Sequence, residues 1–148
     1  MSFENLTDDE RAQRAELARR VRGLVELRAQ QDGTRVTYTE IRDWLAERLL
    51  RLGRSRWEYL QAGNKYLVQE PLLLAAIAEY FGVDRNYLLD LSSVTPERLQ
   101  AEFAASRRAR ADQLLAAVER TLPDASAELV EQMRALFDEF VDGTPATR

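Results

Sequence analysis

A short stretch between Gly53 and Lys65, GRSRWEYLQAGNK, carries the side chains of this sequence that are best suited to contact a base or an anion. A guanidinium presents a rigid fork of donors, which pairs bidentately with phosphate or with the edge of guanine in the major groove of DNA. The residues that we expect to point away from the core are Arg54, Ser55, Arg56, Glu58 and Tyr59.

The same stretch has the apolar and turn residues of a short helix. Trp57 and Leu60 lie three positions apart and should anchor the helix to a core. Gly53 is expected to precede the helix, and Ser55 with Glu58 fits a capping box. The helix should close in a turn made of Gly63, Asn64 and Lys65. A helix of this kind reads bases chiefly with its N-terminal residues.

Most enzyme chemistry is excluded because the sequence contains no Cys and no His. Thiolate nucleophiles, zinc knuckles, imidazole metal sites and Ser-His-Asp triads therefore cannot form. The phosphate-binding patterns GxGxxG and GxxxxGK[ST] do not occur either. We expect no enzyme, no cofactor and no metal site.

Positive charge is concentrated around the candidate reading helix, although the whole chain carries a net charge of −4. Residues 35–65 contain seven Arg and Lys against four Asp and Glu, a local net charge of +3. An electrostatic footprint for nucleic acid has this kind of local excess.

Composition predicts a soluble cytosolic protein. Apolar residues make up 45% of the chain and charged residues 31%, which suits a modest core. No apolar run approaches the roughly 20 residues that span a bilayer, and the acidic start MSFENLTDDE lacks the apolar region of a secretory signal.

Amphipathic helices on either side form the expected scaffold. Thr7 caps a first helix that should end near Gly33, and Thr37 with Glu40 forms a capping box for a second helix, in which Leu49 extends the apolar stripe. A fourth helix from about residue 70 to 80 and a short fifth helix complete the N-terminal part. The wide apolar face of the fourth helix is expected to contain Leu72, Leu73, Ala76, Ile77, Tyr80 and Phe81.

A boundary is expected in the segment SSVTP, which gives an N-terminal domain of residues 1–91 and a C-terminal domain of residues 92–148. Thr95 should cap a sixth helix. A seventh helix follows, with a strong apolar stripe that two helices cannot bury alone. Either these helices fold back on the N-terminal bundle, or they pair with another chain, which we favour. The expected homodimer interface comprises Leu129, Met133, Leu136, Phe137 and Phe140.

The chain resembles helix-turn-helix proteins of the XRE (Cro/CI-like) class, and more narrowly the EspR-type actinobacterial regulators. The matching motifs are W-x-x-L-x-x-G from Trp57 to Gly63, LAAIAEYFGVD from Leu74 to Asp84, YLL from Tyr87 to Leu89, and LP-x-x-S before the last helix. The sequence departs from the class at the start of the second helix, where Tyr38 and Thr39 stand in place of a frequent Gln.

This resemblance implies an all-α fold, with a five-helix helix-turn-helix domain followed by two amphipathic dimerisation helices. It implies a DNA-binding transcriptional regulator at the nucleoid that binds double-stranded DNA as a homodimer, organises the nucleoid and controls ESX-type secretion genes. On this resemblance, base contacts in the major groove are expected from Arg54, Ser55, Arg56 and Tyr59. Contacts to the DNA backbone are expected from Thr37, Thr39, Asn64 and Lys65.

A different class of protein is also compatible with the sequence. The chain can be a helical adaptor whose apolar C-terminal face binds another protein and which does not bind DNA. A small-molecule sensor is the third reading, and no polar constellation between the last two helices supports it. Substitution of Arg54 and Arg56 separates the first two, because an adaptor would keep its partner.

Overall fold

The computed structural model describes residues 7–64, 68–122 and 127–142, and within these ranges every regular element is an α-helix. The expected all-α class is therefore confirmed. The helices are α1 (Asp8–Asp32), α2 (Tyr38–Ala46), α3 (Arg54–Ala62), α4 (Pro71–Tyr80), α5 (Asn86–Leu89), α6 (Glu97–Thr121) and α7 (Ala127–Asp142). The chain divides into two compact units, Met1–Thr95 and Pro96–Arg148.

The core of the first unit is built from one apolar stripe on each of its helices. In α1 the apolar residues at helical spacing, Leu17, Val21, Leu24 and Val25, are buried, as are the anchors of α3. The largest side chains that are completely enclosed are Leu24, Ile41, Leu45, Leu73, Ile77, Leu88, Val21 and Val25. These side chains come from α1, α2, α4 and α5, and α3 adds Trp57 and Leu60. Their burial packs α3 on α1 and α2 on α4.

Local capping patterns set where α1 and α2 begin. The Thr7 hydroxyl accepts a hydrogen bond from the Glu10 backbone N–H at 3.1 Å, as predicted. At α2 both halves of the capping box form, because Glu40 N–H donates to the Thr37 hydroxyl and Thr37 N–H donates to the Glu40 carboxylate. Gly33 ends α1 in the left-handed conformation at φ +79°.

The prediction that Leu49 extends the apolar stripe of α2 is wrong. The helix ends at Ala46, and Leu49 lies in the following turn with φ +61° and 95% of its surface exposed. Helical spacing made Leu49 look like the next core position, but the chain has already left the helix there.

The predicted face of α4 is also partly wrong. Leu72 is 77% exposed, whereas the neighbouring Leu73 and Leu74 are buried. Consecutive leucines give several helical phases that fit the pattern equally well. Contacts in the fold, which local spacing does not reveal, decide which of them is buried.

The second unit is a helical hairpin. Arg108 of α6 pairs with Asp138 of α7, and Arg134 of α7 lies 3.9 Å from Glu119 of α6, so the two helices run antiparallel. The expected cap of α6 by Thr95 is wrong, because Pro96 occupies the N-cap position and no side chain caps the helix.

Candidate nucleic-acid interface

Helix α3 is mounted on α1 through buried side chains and a close glycine contact. Trp57 is only 4% exposed and Leu60 only 2% exposed. Gly63 ends the helix at φ +70°, and a Cβ built there would lie 2.9 Å from the Ala18 Cβ of α1. Because glycine alone tolerates both the backbone conformation and the space, the predicted role of Gly63 as the stop of α3 is confirmed.

A second contact from α1 fixes the C-terminal end of α3. The guanidinium of Arg22 donates to the Gln61 carbonyl oxygen at 2.7 Å. The last carbonyls of a helix carry partial negative charge, so a cation at this end is favourable. Helix α3 is thus held at its C-terminal end, and its N-terminal end faces solvent.

The first turn of α3 is basic and has no side-chain cap. Gly53 occupies the N-cap position, and the first turn contains no acidic residue. The prediction that Ser55 caps the helix is wrong, because Ser55 is already the second helical residue. Arg54 and Arg56 therefore lie at the positive end of the helix dipole, where cations are unfavourable unless an anion is bound.

Arg54 is the most available cation of this turn. Its side chain is exposed, and its guanidinium carbon lies 4.7 Å from the centre of the Tyr38 ring. Among the described residues no carboxylate forms an ion pair with Arg54. The charge is therefore uncompensated, and the aromatic ring restricts where it can lie.

Arg56 has a different environment from the one expected. Its guanidinium donates to the Glu70 carboxylate at 2.6 Å, and its side chain is 33% exposed. This ion pair joins α3 to the residue that precedes α4. A base contact by Arg56 would require the pair to open or to share its donors, whereas Arg54 has no such requirement.

The other expected contact residues lie around these arginines. Ser55 and Asn64 are exposed, and Tyr59 is half-buried. At the start of α2 Thr39 is exposed, and the Thr37 hydroxyl accepts the capping hydrogen bond but keeps its own proton to donate. Lys65 lies outside the described residues.

Two further residues, Tyr38 and Arg42, lie beside Arg54 in the structure, although the sequence did not identify them as contact residues. Tyr38 contacts Arg54 and also lies 5.7 Å from the guanidinium carbon of Arg42 on its own helix. The spacing of Tyr38 and Arg42, four residues along a helix, was the available signal for the second contact. The contact with Arg54 crosses between helices and had no local signal.

The expected dimer surface is partly exposed in the single chain. Leu129 and Leu136 of α7 are 44% and 63% exposed, and Met133 and Phe137 are half-buried. The side chain of Phe140 lies outside the described residues. On α6, Leu114 and Leu122 are also about half exposed, at 48% and 54%. A hairpin of two helices therefore leaves much of its own apolar surface open.

In the described part of the chain, no helix combines the length and the apolar character needed to cross a bilayer. The same residues contain no group of three or more metal-binding side chains. No family model, no curated protein and no solved structure matches the chain.

Proposed function

We propose that this chain is a sequence-specific DNA-binding regulator of the helix-turn-helix type, which places α3 in the major groove and acts as a homodimer. The observation that carries the proposal is the exposed guanidinium of Arg54, which forms no ion pair with a carboxylate of the residues that the structure describes. It lies at the start of a helix that is held at its other end.

The first turn of α3 is energetically unfavourable in the free protein. Two arginines in the first turn of α3 oppose the helix dipole, and no side chain satisfies the free N–H groups there. Phosphate or the acceptor edge of guanine removes both disadvantages at once, because each accepts hydrogen bonds and favours nearby positive charge. Such an inconsistency with helix stability is typical of functional sites.

The proposed contacts divide into base readout and backbone positioning. Base contacts come from Arg54, Ser55 and Tyr59, and from Arg56 once the Glu70 carboxylate shares or releases it. Contacts to phosphate come from the residues at the start of α2 and after α3, namely Thr37, Thr39, Asn64 and Lys65. Phosphate contacts set the register of the protein on DNA, and base contacts set the sequence preference.

Dimerisation through α7 would give the DNA complex two-fold symmetry. The support is the apolar stripe of α7, in which Leu136 remains 63% exposed. With two reading helices related by a dyad, half-sites are expected about one helical turn apart, ~34 Å, or at a multiple of that spacing. The resemblance to EspR-type regulators extends the proposal to nucleoid organisation and to ESX-type secretion genes.

Fluorescence anisotropy on a pool of genomic duplexes, over a series of salt concentrations, tests DNA binding. Wild type should bind with a steep dependence on salt, and Arg54→Ala should weaken the binding by about 1–3 kcal/mol if its guanidinium is bidentate to guanine. Arg98→Ala, which removes an equal charge from a side chain of α6 that is 92% exposed, should change the affinity little. No binding at low salt by a folded protein would overturn the proposal.

A helical adaptor is the second candidate, and the same exposed stripe of α7 favours it. Met133→Lys and Phe137→Lys test the surface by sedimentation equilibrium, with circular dichroism as the control for folding. The dimeric regulator predicts that both variants become monomers while residues 7–90 stay folded. An adaptor predicts a wild-type monomer, no duplex binding, and loss of a partner protein from these variants.

A further inference from the structure

The ring of Tyr38 contacts two arginines that come from different helices. Tyr38 is the first residue of α2, and Arg42 follows one turn later on the same helix, at 5.7 Å from the ring centre. Arg54 is the first residue of α3 and lies at 4.7 Å from that centre. The two guanidinium carbons therefore lie no further apart than the sum of these distances, about 10 Å.

The ring itself is fixed in place by its hydroxyl. Tyr38 donates a hydrogen bond to the Leu52 carbonyl oxygen at 2.8 Å. Leu52 is 3% exposed and stands two residues before α3, so the bond ties the start of α2 to the turn that leads into α3. Tyr38 therefore contacts the turn with its polar tip and both cations with its aromatic body.

The charges near this cluster leave it positive. Arg42 donates from Nε and Nη2 to the Asp43 carboxylate, at 3.0 and 2.9 Å, and both side chains of this pair are largely exposed. An ion pair of that kind in water contributes little and is easily exchanged. Arg54 has no carboxylate partner among the described residues. In the ion pairs of the described residues, Arg42 and Arg54 together have one carboxylate partner, Asp43, so this pair of arginines keeps a net positive charge.

We propose that Tyr38 is a positioning residue that holds Arg42 and Arg54 together as one anion-binding unit, and that Arg42 makes a further contact to a DNA phosphate. The inference rests on the proposed DNA-binding function and deepens it. Arg54 then reaches the base edge from α3, while Arg42 holds the adjacent backbone from α2.

The advantage of the arrangement is preorganisation. A free arginine side chain samples many rotamers, and fixing it in a complex costs conformational entropy. A guanidinium stacked on an aromatic face has already lost part of that freedom. Two stacked guanidiniums also repel each other in the free protein, and a phosphate placed between or beside them relieves the repulsion. Both effects favour the bound state.

The first experiment needs no DNA. Proton NMR of the free protein should show the side-chain resonances of Arg42 and Arg54 shifted upfield by the ring current of Tyr38. These shifts should disappear in Tyr38→Leu and persist in Tyr38→Phe, which keeps the ring and loses the hydrogen bond to Leu52. Resonances of Arg54 that are identical in wild type and Tyr38→Leu would overturn the positioning role.

The second experiment measures affinity for a fixed duplex by fluorescence anisotropy. Tyr38→Leu should weaken binding about two- to fivefold, the effect expected for one or two exposed cation–π contacts, and Tyr38→Phe should restore most of the loss. In the Arg42→Ala/Arg54→Ala background, Tyr38→Leu should have no further effect, because its action passes through these arginines. An equal loss in that background would show a merely structural role and overturn the inference.

A variant of Asp43 tests the contact by Arg42 without disturbing the ring. Asp43→Asn releases the guanidinium and should raise the duplex affinity by about two- to fivefold, and the gain should be clearly smaller in an Arg42→Ala background, where only the loss of a negative charge remains. A gain of the same size without Arg42 would overturn the phosphate contact. If wild type binds no duplex at all, the proposed function fails. If Arg54→Ala weakens binding while Tyr38→Leu and Asp43→Asn leave it unchanged, only the present inference fails.

Discussion

Helices α2 and α3 have the same length, nine residues each, and begin in opposite ways. Helix α2 starts with a complete capping box, in which the Thr37 hydroxyl and the Glu40 carboxylate satisfy backbone N–H groups. Helix α3 has Gly53 at the N-cap position and no side-chain cap, and its first turn carries Arg54 and Arg56, whereas the first turn of α2 carries Glu40. The start of α2 is arranged for stability, and the start of α3 leaves its N–H groups and its positive charge open to a partner.

Helix α3 is held in place mainly at its C-terminal end. The N-terminal part of α3 projects from a helix whose C-terminal end is locked to α1 by Gly63 and Arg22. Rigidity at one end makes the other end a defined surface, which a contacting side chain needs if it is to discriminate between bases. The comparison of the two helices therefore identifies the first turn of α3 as the place where exposed donor groups are kept at a cost in helix stability.

The largest effect is expected for a substitution that disrupts the contact between the C-terminal end of α3 and α1. Gly63→Ala should lower the free energy of unfolding by about 1–3 kcal/mol, because the left-handed conformation and the close Ala18 Cβ both disfavour a side chain. Gly53→Ala is the matched control, since a Cβ there meets nothing within 4 Å and its φ of −75° is ordinary. Urea denaturation measures both variants, and equal losses would contradict the assigned role of Gly63.

The next effect concerns the two helix starts directly. Thr37→Ala should cost about 1 kcal/mol of stability, because it removes the acceptor for the Glu40 N–H. Ser55→Ala should cost nearly nothing, because Ser55 caps no helix. Thermal or urea unfolding distinguishes the two variants. A loss at Ser55 as large as that at Thr37 would show that α3 is capped after all.

The smallest expected effect concerns the ion pair between Arg56 and Glu70. Glu70→Gln should cost about 0–1 kcal/mol of stability, as partly exposed pairs do. It should also raise the affinity for a duplex, because it frees the guanidinium of Arg56 beside Arg54. Glu26→Gln, at an exposed position of α1, is the control for the general change in charge. An identical gain in both variants would exclude Arg56 from the interface.

These contrasts also separate what the sequence could reveal from what it could not. The caps at Thr7 and Thr37 and the stop at Gly63 depend on residues a few positions apart, so local patterns predicted them correctly. Local patterns did not predict which face of α4 is buried, because adjacent leucines fit more than one helical face. Tertiary packing decides that Leu72 is exposed. The prediction for Leu49 was wrong for a related reason, since apolar residues continue at helical spacing beyond Ala46, where α2 ends.

The candidate site divides in the same way. The exposure of Arg54 follows from the anchors Trp57 and Leu60, which the sequence shows three residues apart. The ion pair of Arg56 with Glu70 and the stacking of Arg54 on Tyr38 join residues 14 and 16 positions apart. Such contacts depend on how α2, α3 and the start of α4 are placed, which no local pattern specifies.

The most direct test of the account gives α3 the kind of start that α2 has. Gly53→Asp and Gly53→Asn each supply an N-cap side chain, and they differ only in charge. Both should raise the free energy of unfolding by a few tenths of a kcal/mol, up to about 1 kcal/mol for Asp at the helix end. Fluorescence anisotropy should then show that Gly53→Asp binds a duplex at least about fivefold more weakly than Gly53→Asn, because its carboxylate neutralises Arg54 and repels phosphate. Equal affinities for the two variants would contradict the claim that the first turn of α3 binds DNA.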